Sequence, residues 1–209
     1  MALAAAASGL RELIARARAL VFDFDGTLVD SNPIKFRAFE RCFEDLDEHR
    51  EAALAYCLGH HHTPRDEKFR HVYEQILKLP YTAQVEQALL SRFAEQTTQP
   101  IVEAPETPGA ERFLEWASSC FATGVLSSTP DPVLREILRG RAWGRFFLWI
   151  RGAPVDKAVW LSQLLQKEGF RGEEVVFLGD TEEDRKAASG AGCLFVAVRA
   201  DSGFHDLEG

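Results

Sequence analysis

The stretch VFDFDGTLVDS, residues 21–31, decides the fold. An apolar run, ALVFDF (19–24), carries straight into two carboxylates, Asp23 and Asp25, and then into Gly26 and Thr27. No basic residue adjoins the pair, and like charges this close disfavour each other's ionised form unless a cation lies between them. A β-prone run closed by a glycine turn reads as a strand that delivers both acids to its carboxyl end.

Working outward, four more runs have the same character: FATGVLS (121–127), RFFLWI (145–150), EVVFLG (174–179) and CLFVAV (193–198). Several are apolar at consecutive positions, as strands covered on both faces are. Helical patterns alternate with the later runs. PDPVLREILRG places Val133, Leu134, Ile137 and Leu138 on one side; DKAVWLSQLLQKEG ends at Gly169; EEDRKAASGAG supplies the last helix. Strand–helix alternation of this kind predicts an α/β fold, a Rossmann-like three-layer doubly wound parallel sheet.

Residues 25–120 separate the first two runs, several times the length of a crossover helix. That segment is helical in character: PIKFRAFERCFEDL, EAALAYCLGH, RDEKFRHVYEQILK and TAQVEQALLSRFAEQ. EAPETPG (103–109) reads as a linker before the helix AERFLEWASS. The expected organisation is therefore a core of residues 1–31 and 103–209, with a helical domain of residues 32–102 inserted after the first strand.

Composition narrows the class of function. A net charge of −8 argues against nucleic acid or an anionic membrane surface as partner. The four cysteines, Cys42, Cys57, Cys120 and Cys193, form no C-x-x-C pair and read as buried thiols of a reducing compartment. The alanine-rich start reads as a short amphipathic helix through Leu10, Leu13, Ile14 and Ala17 rather than a targeting peptide, because no basic region precedes it and Glu12 interrupts it. No run is long enough to span a bilayer, and the expected location is the cytoplasm.

Ligands of doubly wound sheets bind beyond the carboxyl ends of the strands. Those ends carry Asp23, Asp25, Gly26 and Thr27; then Ser127, Ser128 and Thr129; then Asp180, with Asp184 four residues on; Lys157 opens the helix leading into the fourth strand. Each has an ordinary explanation taken singly: an Asp-Gly turn, a helix N-cap, a solvated lysine, an acidic first turn. All of them falling at one end of one sheet points instead to phosphoryl transfer. Asp23, Asp25 and Asp180 converging there call for a hard cation, and Mg²⁺ suits oxygen ligands and substrate phosphate. One carboxylate can then attack phosphorus while another handles the proton of the leaving alkoxide. Ser127 and the N–H groups after it suit phosphoryl oxygens, and Lys157 balances the charge of the transition state.

With VFDFDGTLVDS, GVLSST, Lys157 and VFLGDTEEDRKAASGAG in this order, the chain resembles the haloacid dehalogenase superfamily, in its phosphoglycolate-phosphatase-like branch. The resemblance covers residues 19–31 and 105–199. It implies Asp23 as nucleophile, Asp25 as general acid and base, and Mg²⁺ held by Asp23, the main-chain carbonyl of Asp25, and Asp180. It further implies support of that site by Asp184, phosphate binding by Gly26, Ser127, Ser128 and Lys157, and a helical insert acting as a small cap. An acid at Asp25 matters, because an alkoxide leaves with a proton and a halide does not. Ser128 departs from the asparagine common there, though its N–H still serves.

The expected activity is hydrolysis of a small phosphorylated metabolite through an aspartyl-phosphate on Asp23. A phosphomutase of the same superfamily and a non-catalytic phospho-aspartate signalling protein are the alternatives; the latter fits less well, since the third run ends in FFLWIRG without an acid. Within the insert, GHHHTPRDEKFRHVYEQIL (59–77) is the most polar part, and His61, Arg65 and Lys68 are the candidate substrate contacts. Three consecutive histidines cannot all face one ion from regular structure, so His60, His61 and His62 read as loop. SNPIKFRAF (31–39), with Asn32, Lys35 and Arg37, is a second candidate lip.

Overall fold

A computed structural model describes residues 14, 16–60, 63–199, 201, 203 and 204. It divides into two compact units, one made of the chain up to Asp30 and from Ala104 onward, the other Ser31–Glu103.

The first unit is built on five strands, β1 (Ala19–Phe22), β2 (Ala122–Pro130), β3 (Trp149–Ala153), β4 (Val175–Gly179) and β5 (Leu194–Ala197). All pairings are parallel, in the order β3-β2-β1-β4-β5, so the first strand lies at the centre. β1 and β4 are buried at every position, as their unbroken apolar runs require. Alternate side chains of β1 feed two cores. Ala19 and Val21 pack with Leu126, Leu161, Leu164, Phe177 and Ala188, while the Phe22 ring meets those of Phe113, Phe147 and Phe204 at 6.1–6.3 Å. The three-layer α/β reading of the sequence therefore holds.

In the second unit, α1 (Asn32–Cys42), α2 (Arg50–Gly59), α3 (Arg65–His71) and α4 (Ala83–Glu103) enclose an aromatic core. Phe39 stands 4.7 Å from Phe93 and 5.8 Å from Phe69, ring to ring. The first unit adds α5 (Ala110–Cys120), α6 (Asp131–Gly140), α7 (Lys157–Glu168) and α8 (Glu182–Ala191).

Boundaries differ from the sequence reading in three places. The third strand is Trp149–Ala153, not 145–150, because Trp143–Phe146 forms a 3₁₀ turn whose rings Trp143 and Phe146 are buried. The helix expected over 65–78 gives way to a π turn at Val72–Ile76. The helix from Ala83 runs on to Glu103 through Pro100, because its buried face, Leu89, Phe93, Thr97 and Ile101, repeats every four residues across the proline. All four cysteines are free, but Cys120 is exposed rather than buried. Leu10 and Leu13 lie outside the described residues, among which no helix is long and apolar enough to cross a membrane.

Candidate active site

Asp23 follows β1 directly, and its N–H donates to Leu178 O at 2.8 Å, which ties it to the neighbouring strand β4. The chain then turns at Gly26, whose φ of 84° is relaxed only for glycine. The turn closes through the Gly26 N–H to Val29 O, 2.8 Å. It seats Thr27, fully buried, so that its hydroxyl donates to Asp180 Oδ1 at 3.0 Å. Thr27 thus links the loop after β1 to the residue after β4.

Lys157 is the first residue of α7, a helix capped by the Asp156 side chain accepting from Val159 N. Its ammonium donates to Asp23 Oδ1 and Asp184 Oδ1, both at 2.7 Å. Asp184 is buried, and its other oxygen accepts from the Thr181 hydroxyl at 2.6 Å and the Thr181 N–H at 3.2 Å, a reciprocal capping box at the start of α8. Both oxygens of Asp184 are therefore engaged and its orientation is set.

Gly179 makes this arrangement possible. A Cβ there would lie 2.6 Å from Asp184 Cβ and 2.8 Å from its Cγ and Oδ2. Gly179→Ala is expected to displace Asp184 and lower divalent-metal affinity about 10–100-fold, with calorimetric Mg²⁺ titration as the check. Unchanged affinity would mean that Asp184 has no bearing on the metal.

The Asp25 side chain meets different partners. Its Oδ2 accepts from the Thr129 hydroxyl at 2.7 Å and the Ser127 hydroxyl at 3.2 Å. Ser127 also accepts from Thr129 N at 3.0 Å, and Ser128 is exposed. Neither hydroxyl caps the following helix: β2 continues to Pro130, which is the N-cap of α6. Thr129 holds Asp25 and Thr181 holds Asp184, roles that the sequence reading did not give them. Thr129 was legible from its i+2 spacing to Ser127 on a strand, and Thr181 from the capping pattern T-x-x-D.

The electrostatics are those of an incomplete set. Asp23, Asp180 and Asp184 each bring a carboxylate oxygen within 4.8 Å of the others, against the single ammonium of Lys157. Burial pushes the Asp23 carboxyl up to about 7; Lys157 opposes the shift, and Asp184, Asp25 and Asp180 add to it. Desolvation raises Asp180 too, against the Thr27 hydrogen bond. Desolvation disfavours the Lys157 ammonium, yet Asp23 and Asp184 outweigh it and raise its pKa. An excess of convergent carboxylate oxygens fits a hard divalent cation.

In the helical unit, Lys68 is 6% exposed, with its ammonium 5.2 Å from the Phe39 ring. Arg65 lies over Phe93 at 3.8 Å. Burial lowers the Lys68 pKa to about 8; Cys57 opposes this, and the neighbouring cations Lys35 and Arg65 add to it. Asn32 and Lys35 sit in the first turn of α1 and Arg37 further along it. His60 is engaged locally, its Nδ1 2.8 Å from Tyr56 O, whereas His61 and His62 lie outside the described residues.

The chain is similar to known proteins in both sequence and fold. The family model for haloacid dehalogenase-like hydrolases matches residues 20–198. A phosphoglycolate phosphatase of Synechococcus elongatus is 28% identical over 199 residues, covering 91% of this chain and 87% of that protein. Among solved structures, CbbY from Rhodobacter sphaeroides in complex with phosphate superposes with a TM-score of 0.69 at 19% identity, over 90% of this chain and 89% of that one. The hydrolase YfnB from Bacillus subtilis, bound to magnesium, gives 0.66 at 19% identity, over 88% and 89%. With the family model spanning the central sheet and every carboxylate of the site, the chain belongs to the haloacid dehalogenase-like hydrolases.

Proposed function

We propose that the protein is a phosphatase that hydrolyses a small phosphomonoester, with Mg²⁺ as its resident metal. The observation that carries this reading is the division of partners between two neighbouring acids. Asp23 faces an ammonium, while Asp25 faces two hydroxyls. Lys157 and a bound metal would together favour the ionised Asp23 that a nucleophile needs, while Asp25, held by two hydroxyls, would move the proton.

Asp23 attacks phosphorus, the P–O bond to the leaving group breaks, and Asp25 gives its proton to the departing alkoxide. Asp25 then takes a proton from water as the water oxygen attacks the aspartyl-phosphate, releasing phosphate and restoring Asp23. Ser127, Gly26 and the Ser128 N–H hold phosphoryl oxygens, and Lys157 balances the negative charge that moves onto them. Asp23, Asp180 and the Asp25 carbonyl would hold Mg²⁺, with Asp184 keeping the ligand set in place. When bound, the ion supplies positive charge between the carboxylates and the phosphoryl oxygens. The helical insert, residues 32–102, would serve as a cap domain that selects the substrate.

The relatives named phosphoglycolate phosphatases favour a short phosphorylated acid as substrate. Lys68 and Arg65, with His61 as a further candidate, would read its second anionic group. A buried ammonium beside two other cations is costly, so its retention suits a ligand. Lys68→Met is accordingly expected to stabilise the protein at pH 7 by about 1–3 kcal/mol while raising KM. The sign follows from the lowered pKa. Below about 8 the folded protein bears the full cost of the buried charge. Between there and the ordinary lysine value of 10.5 only the unfolded chain still holds the proton, so stability climbs with pH. Melting curves from pH 7 to 10.5 should show that climb in the wild type and lack it in the variant.

A phosphate-release screen over phosphorylated metabolites, with Mg²⁺ and with a chelator, tests the function. Metal-dependent release from a short phosphorylated acid is expected. Bisphosphate-dependent isomerisation without release would instead establish a mutase.

A further inference from the structure

We propose that a groove along the outer edge of β3 is a second binding site, separate from the carboxylate cluster, for a small anion bearing a flat ring, of the nucleoside-phosphate class. The groove holds about 350 Å³ and is bounded by β3, α6 and α7. That volume falls in the range of small-molecule sites.

Its lining is basic although the chain is acidic. The chain carries a net charge of −8, yet Arg135, Arg151 and Lys167 line the groove and no carboxylate does. The nearest acids are accounted for. Asp131 accepts from Arg135 Nε at 2.6 Å and from Gly152 N at 2.8 Å, and Glu168 stands 4.0 Å from Lys167. Arg135 is further fixed by donating to Ile150 O at 2.8 Å. The Arg151 side chain makes no hydrogen bond or ion pair among the described residues, although its charge also acts on Asp131. A charge with an open hydrogen-bonding fork, on an acidic protein, suits a phosphate oxygen.

Two indoles, Trp149 and Trp160, supply the apolar wall. Trp149 is seated before any ligand arrives: its ring meets Phe170 edge-on at 6.4 Å, and it lies over Gly124, where a Cβ would come within 3.2 Å of the indole. A pre-set indole next to a guanidinium stacks a planar ring at little entropic cost. Gln163 adds an amide that both donates and accepts, as the polar rim of a base requires. The edge position contributes as well. β3 pairs with β2 alone, and the Leu148 N–H turns inward to Thr123 O at 2.9 Å. The outer edge of β3 thus has no strand partner among the described residues.

The test is titration of the whole protein with adenosine 5′-(α,β-methylene)diphosphate, which resists hydrolysis, read as quenching of tryptophan fluorescence. Binding is read without turnover, so the result does not depend on the proposed phosphatase activity. Saturable quenching below about 1 mM is expected. Arg151→Glu, on an exposed side chain, should weaken it at least about tenfold, and Trp160→Ala should abolish most of the signal. Both variants should keep the kcat/KM of phosphate release, and Asp23→Asn should bind as the wild type does. Absence of saturation up to about 1 mM would overturn the site and leave only a sheet edge guarded by charge. Quenching that survives Arg151→Glu but is lost on adding phosphate with Mg²⁺ would overturn it too, placing the ligand at the carboxylates. Adenosine binding as tightly as the diphosphonate would overturn the anion half of the proposal.

Discussion

Asp23→Asn should yield a folded protein whose phosphate release falls by about 10⁴-fold or more. The amide preserves shape but offers no anionic oxygen to phosphorus, while Lys157 keeps its second partner, Asp184, at 2.7 Å. A distinct signature should accompany the loss. In the metal-free wild type, burial holds the Asp23 proton up to about pH 7, whereas the unfolded chain releases it near 3.8. The folded state therefore binds the extra proton between those values, and stability falls as pH rises through them. An amide cannot ionise, so the variant's stability should be flatter over that interval, and Mg²⁺ at neutral pH should stabilise it less than the wild type. Phosphate release and melting curves at several pH values, with and without Mg²⁺, check both parts. Retained turnover would remove Asp23 from the reaction.

The second large effect concerns Asp25. Asp25→Asn should slow hydrolysis of alkyl phosphates by about 10²–10⁴-fold, the usual contribution of a positioned proton donor. An ester whose leaving group departs easily as an anion, such as nitrophenyl phosphate, should lose much less. The ratio between the two substrates is the diagnostic quantity. An equal loss on both would show that Asp25 acts by holding structure, through the Ser127 and Thr129 hydroxyls, rather than by moving a proton.

Much of this site is legible in the sequence, because strand ends are local facts. Asp23, Ser127 and Asp180 each close a short apolar run, and a parallel sheet brings such ends together whatever the loops do. The parts that escaped depend on packing between segments. Nothing local says that RFFLWI spends its first half as a buried 3₁₀ turn and only then becomes a strand. Nor does the string GDTEED announce that Gly179 is bare because Asp184 folds back against it. The sequence offers Lys68 as a candidate substrate contact in a polar stretch; its burial among Phe39, Cys57 and their neighbours is a tertiary outcome. Thr129 and Thr181 fall between these cases, with visible spacing whose partner acids only the fold identifies.

The strand order has a consequence for how the molecule tolerates damage. Asp23, Ser127 and Asp180 belong to or directly follow β1, β2 and β4, the three inner strands, while β3 and β5 form the rims. Rims fray first in local opening, and inner ladders part only when the whole domain unfolds. Transient loss of a rim strand thus leaves these three groups in register. Lys157, reached by way of β3, is the exception. Fluctuation at that rim would loosen the ammonium from Asp23 and leave the carboxylates in place, so the site would first lose its counter-charge and keep its scaffold.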